Sequence, residues 1–309
     1  MAQSTDQAFD TAFTALGTAS DIGVIPKPVI DAAIAAAFAE DLGLAGDLTT
    51  DSILGADWSA IGVIAARKSG VVAGLDVAAA AFHHLDPGMA VTRRVADGSM
   101  VTPGTVLVEL AGNARAMLTG ERIALNFLGR MCGIATLTRS FVDLVAGTRA
   151  HIIDTRKTTP GLRAFEKYAV RAGGGMNHRV GLFDAVLIKD NHIALAGGVA
   201  AAIAAARRRA GHMVKIEIEV DTLDQLDEVL QHKVDAVLLD NMTPETLKEA
   251  VRRVDGRLIT EASGGVNLET VRAIAESGVD LISIGALTHS ASVLDIGLDC
   301  EVEAQVASR

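Results

Sequence analysis

The second half of this sequence predicts a parallel α/β sheet wound toward a barrel, on three observations. After His151, short apolar β-branched segments alternate with helical ones. The last candidate strands begin at Val214, Ala236, Arg257 and Leu281, steps of about 21 to 24 residues, which is close to a minimal βα unit. Each candidate strand also carries a polar group or a glycine turn at its C-terminal end, where α/β barrels keep their working residues. The competing doubly wound sheet is disfavoured because no Gly-x-Gly-x-x-Gly follows the first of these strands.

Composition supports this class. Of 309 residues, half are hydrophobic and only 3% aromatic, so the core is built from Ala, Val, Leu and Ile, which suits helices packed closely on a parallel sheet. A net charge of −10 argues against nucleic-acid or acidic-membrane partners. Against that background Arg156, Lys157, Arg163, Lys167, Arg171, Arg179 and Lys189 face only Glu166, Asp184 and Asp190 between 156 and 192. A cationic segment in an acidic chain points to an anionic small molecule. Cys132 and Cys300 have no metal-site spacing and are expected to be reduced thiols of a cytoplasmic protein. No lysine or arginine precedes Lys27, so a targeting segment is not expected, and no apolar run is long enough to span a bilayer.

In chain order, residues 1 to about 25 predict a frayed tail or a short docking helix. The apolar spacing of Val29, Ile30, Ala33, Ile34, Ala37 and Phe38, with Pro28 near the first turn, predicts a helix over Pro28–Glu40. The acidic, glycine-punctuated stretch from Glu40 to Asp51 reads as a polar turn with helix caps. From Ala60 to Leu110 the pattern is β, and Asp97–Leu110 predicts a hairpin about Pro103-Gly104. Ala114–Ala146 predicts one long helix with Arg122, Asn126 and Arg130 along a single face. Beyond it come strands at His151–Thr155, Ala185–Lys189, Val214–Val220, Ala236–Asp240, Arg257–Glu261 and Leu281–Gly285. Helices are expected at Val199–Arg209, Leu223–Gln231, Pro244–Val254 and Leu268–Ser277.

The strand ends carry the chemistry. Arg156 and Lys157 follow the first, and Lys189, Asp190 and Asn191 follow the second. Glu217 and Glu219 are two apart and therefore share a face; Ile216 and Ile218 must meet the helices, so the glutamates point inward. Asp240 with Asn241, and Glu261 with Ser263, end the next two. The turns Ser263-Gly264-Gly265 and Gly285-Ala286-Leu287-Thr288-His289 close the series. Glycine lets backbone N–H groups approach a phosphate there.

Seven stretches, among them Glu121-Arg122-Ile123-Ala124-Leu125-Asn126, Asp154-Thr155-Arg156-Lys157-Thr158-Thr159-Pro160-Gly161, Gly175-Met176-Asn177-His178-Arg179, Ile188-Lys189-Asp190-Asn191-His192, Glu217-Ile218-Glu219, Glu261-Ala262-Ser263-Gly264-Gly265 and Gly285-Ala286-Leu287-Thr288-His289, resemble the quinolinate phosphoribosyltransferases. The resemblance runs in order from about Pro28 to Leu298. It implies an α/β sandwich at 28–130 and an incomplete barrel of fewer than eight strands at 131–288. Residues 1–27 would be a tail and 289–309 a segment returning to the N-terminal domain. It also implies a homodimer, or a higher even oligomer, in which the sandwich of one subunit covers the barrel mouth of the other.

Quinolinate carries two adjacent carboxylates, which guanidinium forks grip bidentately. By resemblance Arg156 and Arg179 supply the forks. His178, Lys157 and Lys189 stand close by, and Arg122 reaches in from a partner subunit. Glu219 and Asp240 would hold the ribose hydroxyls of phosphoribosyl pyrophosphate (PRPP) or Mg²⁺, directly or through water. Lys157 and Lys189 would neutralise pyrophosphate, while Ser263, Gly264, Gly265, Gly285 and His289 would take the 5-phosphate. Lys157, Lys189, Glu219 and Asp240 are thus the expected catalytic set, with Mg²⁺ as cofactor. Two rival readings are a same-fold paralogue acting on another anionic base and a non-catalytic phosphate-sugar binding protein. So many cations exceed the need of a monocarboxylate, and a mere binder has no use for the charge-stabilising acids.

Overall fold

A computed structural model describes residues 22–302, and the expected tail at 1–27 lies almost wholly outside them. Two compact units result. The first takes the described chain up to Leu137, Thr159–Gly174 and the stretch from Ser290 onward; the second takes Thr138–Thr158 and Gly175–His289. These cuts differ from the boundaries drawn on sequence, since Thr159–Gly174 leave the stretch 131–288 for the first unit.

In the first unit a four-stranded antiparallel sheet runs in the order β12 (Ile296–Val302), β1 (Ser59–Ala66), β5 (Val106–Asn113), β3 (Ala90–Arg93). β12 comes from the far end of the sequence, Ala60 facing Val302 and Ala66 facing Ile296. The expected helix is α1 (Lys27–Leu42), with Ile30, Ile34 and Phe38 buried at the predicted spacing. It packs on α3 (Leu75–Leu85), where Phe38 stacks on His84 with ring centroids 4.9 Å apart. The acidic turn does act as a cap: Asp47 accepts from Thr50 N at the start of α2 (Leu48–Ile53). Asp97 caps α3 from a distance, accepting from Gly74 N at 2.8 Å and Leu75 N at 3.3 Å while Tyr168 donates to it at 2.6 Å.

The expected hairpin at Asp97–Leu110 is not formed. Thr102-Pro103-Gly104-Thr105 does reverse the chain, with Thr105 N donating to Thr102 O. The arm before the turn, however, is β4 (Met100–Val101), which pairs with β2 (Gly70–Val71), while β5 pairs with β1 and β3. A Pro-Gly turn fixes the reversal; burial chooses the partner. Leu107, Val108 and Leu110 are buried in β5, and eight-residue β1 offers them a longer ladder than two-residue β4 can.

Asn113 accepts from Ala116 N and starts the long helix α4 (Ala114–Leu144), which spans 31 residues without a proline. Its polar stripe splits in use. Arg122 and Asn126 are exposed, whereas Arg130 donates to the buried carboxylate of Glu166 on α5 (Arg163–Ala172), with Nε at 2.9 Å.

The second unit is built on six parallel strands in the order β6 (His151–Ile153), β11 (Leu281–Ser283), β10 (Ile259–Ser263), β9 (Ala236–Asp240), β8 (Ile216–Val220), β7 (Val186–Ile188). Neighbours in sequence are neighbours in space except at one seam, between β6 and β7. The barrel is therefore open there. Met176 occupies the free edge of β6, donating to Ile152 O at 2.8 Å and accepting from Asp154 N at 3.1 Å. Between the strands lie α6 (Asp190–Ala196), α7 (Val199–Arg209), α8 (Leu223–Val229), α9 (Pro244–Val254), α10 (Val271–Ala275) and α11 (Ala286–His289). α7 and α9 match the expected bounds. α9 has Thr243 as N-cap, Pro244 in its first turn and Asp255 in the left-handed region at its end.

Candidate active site

The inward-facing glutamates of β8 start the site. Ile216 and Ile218 are fully buried, and Glu219 meets Lys189 Nζ at 2.7 Å across the tips of β8 and β7. On the next strand Asp240 is partly buried. Burial, then the charges of Glu219 and Asp221, raise its pKa, and Lys189 and Lys157 oppose that. Four groups expected to be catalytic are therefore within electrostatic reach of one another, with acids and lysines interleaved.

Lys157 is set by its backbone. Thr155 Oγ1 accepts from its N–H at 3.0 Å, and the buried Thr288 hydroxyl donates to its carbonyl at 2.8 Å. This ties the loop after β6 to α11. Gly285 lies beneath: a Cβ there would fall 2.9 Å from Lys157 Cδ and 3.2 Å from His289 Nε2. Ser263 pairs in register with Asp240, and Asn241 N donates to Ser263 O at 2.9 Å. Gly264 follows with φ +94°, and a Cβ on it would stand 2.1 Å from Asn241 Oδ1. Only glycine fits this turn.

The open seam delivers the remaining cations. Asp154, buried at the end of β6, accepts from Asn177 Nδ2 at 2.7 Å and from His178 N at 2.8 Å. This fixes the loop carrying His178 and Arg179. Arg179 Nη1 donates to Ala185 O at 3.1 Å. Its pKa is lowered by partial burial first and by the positive charge of Arg156 second. Two neighbouring guanidiniums in a half-buried place repel each other until an anion comes between them.

The structure thus gathers Arg156, Lys157, His178, Arg179, Lys189, Glu219, Asp240, Ser263, Gly264, Gly265, Gly285 and His289 around the C-terminal ends of the strands. Arg122 belongs to the other unit, where its side chain is 66% exposed with Glu121 at 4.0 Å. Asp154, Thr288, Asn241 and Glu217 also support the site; Glu217 and Asn241 were visible as polar strand ends without an assigned role, and Asp154 and Thr288 only as members of longer stretches. The available signal was an acid or hydroxyl beside a strand end, too common to select on.

Comparison with known proteins gives one answer along the chain. Residues 134–299 match the family model for the quinolinate phosphoribosyl transferase C-terminal domain, and residues 47–132 match that for the N-terminal domain. A probable nicotinate-nucleotide pyrophosphorylase [carboxylating] of Bacillus subtilis is 46% identical over 262 residues, 85% of this chain and 90% of that protein. The nicotinate-nucleotide pyrophosphorylase [carboxylating] of Mycobacterium leprae is 46% identical over 265 residues, 84% of this chain and 93% of that protein. Among solved structures, NadC from Streptococcus pyogenes superposes with a TM-score of 0.88 at 38% identity, covering 91% of this chain and 99% of that one. With both domain models matched and an open six-stranded barrel carrying the acids, lysines and glycine turns at its strand ends, the chain belongs to the quinolinate phosphoribosyltransferase family.

Proposed function

We propose that this enzyme transfers phosphoribosyl from PRPP to the ring nitrogen of quinolinate with loss of carbon dioxide. The products are nicotinate mononucleotide, pyrophosphate and CO₂, in de novo NAD synthesis. The observation that carries this reading is the pair of neighbouring, partly buried guanidiniums Arg156 and Arg179, in the same barrel whose strand tips carry the Lys189–Glu219 pair and Asp240. It offers a fork for each of two carboxylates, and the barrel also supplies acids suited to a ribose that becomes cationic.

The residues divide the work. Arg156 and Arg179 hold the dicarboxylate so that the ring nitrogen faces C1 of the ribose, converting a bimolecular encounter into a positioned one. The nitrogen attacks C1, and the bond from C1 to the pyrophosphate oxygen breaks with its electron pair leaving on pyrophosphate. Glu219 and Asp240 stabilise the positive charge on the ribose, while Lys157 and Lys189 receive the pyrophosphate. The glycine turn at 263–265, with Gly285 and His289, holds the 5-phosphate. The C2–carboxylate bond then breaks, CO₂ departs, and its electron pair remains on C2 beside the pyridinium nitrogen until a proton from water replaces it. No covalent enzyme intermediate is required.

A divalent cation fits the acids. Burial first, then the charges of Glu219 and Asp221, raise the Asp240 pKa in spite of Lys189 and Lys157, and a cation between the acids would relieve that repulsion. Glu219 and Asp240 would hold Mg²⁺, directly or through water, and the ion supplies charge neutralisation for the departing pyrophosphate.

The working form in this reading is a homodimer or higher even oligomer, with the exposed Arg122 of one subunit completing the quinolinate pocket of another. Its place is the cytoplasm, in keeping with two free thiols and with no described helix long and apolar enough to cross a membrane. Turnover of carboxyl-labelled quinolinate with PRPP and Mg²⁺, followed as CO₂ release, tests the function. Phosphoribosylation of nicotinate in preference to quinolinate would overturn it.

A further inference from the structure

Two buried acids lie beneath the site and have no part in the mechanism above. Glu261, on β10, is 1% exposed, and Glu217, on β8, is 9% exposed. His178 Nε2 is 2.9 Å from Glu217 Oε2 and 3.6 Å from Glu261 Oε2. The other ring nitrogen is also engaged, since Arg179 N donates to His178 Nδ1 at 2.8 Å. A backbone N–H can only donate, so Nδ1 carries no proton and Nε2–H must donate to Glu217. Glu261 in turn touches Glu217 and the hydroxyl of Ser283. Two carboxyl groups this close in a dry place share a proton; Glu217 already accepts from His178 Nε2–H, which leaves the more deeply buried Glu261 to carry it, and burial first and Glu217 second push the Glu261 pKa up.

We propose that Glu261 and Glu217 are positioning residues for the carboxylate pocket: Glu261 donates to Glu217, Glu217 fixes the His178 ring in its Nε2–H form, and Nδ1 then anchors the backbone of Arg179. His178 becomes a strut. Both ring nitrogens are committed inside the fold, and the ring sets the direction from which the Arg179 guanidinium leaves the seam. The chain begins at the hydroxyl of Ser283 on β11 and crosses to β10 and β8 before reaching the loop beside β6, so rigid strands brace a residue that no strand carries. The identity of the ligand rests on the proposed function; the bracing does not.

The decisive variant is Glu261→Gln, whose amide keeps a donor for Glu217 and an acceptor for Ser283. It should bind quinolinate as the parent does. Glu261→Leu keeps the bulk without the donor and should weaken quinolinate binding by roughly tenfold, the effect of one neutral hydrogen bond of ordinary strength, with PRPP binding changed much less. Enzyme labelled with ¹⁵N-histidine, with the His178 signal assigned by its loss in His178→Asn, should show the Nε2–H tautomer in the parent and in Glu261→Gln. An imidazolium or Nδ1–H signature there would overturn the proposal without any substrate. So would loss of quinolinate binding in Glu261→Gln, or an equal loss for both ligands in Glu261→Leu. A stoichiometric transition metal that copurifies with the parent and is absent from Glu261→Gln would also overturn it, making these groups ligands instead. If the parent turns over no quinolinate, the proposed function fails and the tautomer result still stands or falls alone.

Discussion

Lys189 Nζ and Glu219 Oε2 stand 2.7 Å apart across the tips of β7 and β8, with Asp240 on the next strand feeling both charges. The lysine is about half exposed, so the pair is not held for stability; exposed ion pairs contribute only ~0–1 kcal/mol. In the proposed mechanism the pair sets a carboxylate where the ribose acquires charge. Glu219→Gln should therefore lower kcat more than it raises the KM for quinolinate, because the benefit exists mainly in the transition state. Steady-state kinetics beside a melting curve checks this. A well-folded variant with unchanged kcat removes Glu219 from the catalytic set.

Arg156→Lys keeps a positive charge and loses the fork. Quinolinate binding should weaken by about 1–3 kcal/mol, the range for hydrogen bonds to charged groups. Calorimetry with each substrate separately is the measurement, and equal losses for quinolinate and PRPP would show that Arg156 is not the carboxylate grip.

Gly264→Ala places a methyl 2.1 Å from Asn241 Oδ1 at a φ of +94°. The turn must open to accept it, moving the backbone N–H groups of the cradle. The KM for PRPP should rise more than tenfold while quinolinate binding holds. The opposite ranking would place the 5-phosphate elsewhere.

Arg122 in trans predicts complementation. Inactive Arg122→Ala and inactive Lys189→Ala subunits, mixed and exchanged, should regain part of the activity because some mixed sites contain neither change. No recovery after exchange has been demonstrated by mass would count against a shared site.

Cys132 gives a pH prediction. It is fully buried, accepts from Ala73 N at 3.2 Å, and burial pushes its thiol up to about 12. A raised folded pKa contributes stability that is complete below the ordinary thiol value near 9 and is lost as pH rises toward about 12. Denaturant midpoints should fall over that window less steeply for Cys132→Ala than for the parent. In the native enzyme at neutral pH, alkylation should reach the exposed Cys300 first.

How far the sequence could be read depended on whether a residue's role was local. Pro244 and Thr243 start their helix through backbone chemistry, and the period-two spacing of Glu217 and Glu219 gave their shared face. Partner choice was not local. The turn at Pro103-Gly104 was visible, but the pairing of Met100–Val101 with Gly70–Val71 depends on which strands bury Leu107 and Leu110. Arg122 and Arg130 looked alike on one helix face, yet Arg130 pairs with Glu166, 36 residues away, while Arg122 stays exposed. Glu261 resembled the other polar strand ends because depth leaves no mark on a single residue type. Its 1% exposure is a property of four neighbouring strands.

The seam beside β6 has a consequence for how this scaffold can change. Met176 satisfies the free strand edge with its main chain alone, donating to Ile152 and accepting from Asp154. That bonding pattern is indifferent to side-chain identity, so the barrel edge does not depend on Arg179, whereas Asn177 and His178 are tied through their side chains to Asp154 and Glu217. Glu219, Asp240 and Ser263 lack this freedom, since each also belongs to the ladder that carries it. A library confined to 179 and 180 should therefore yield folded proteins with altered anion preference more often than an equally large one spread over these three positions.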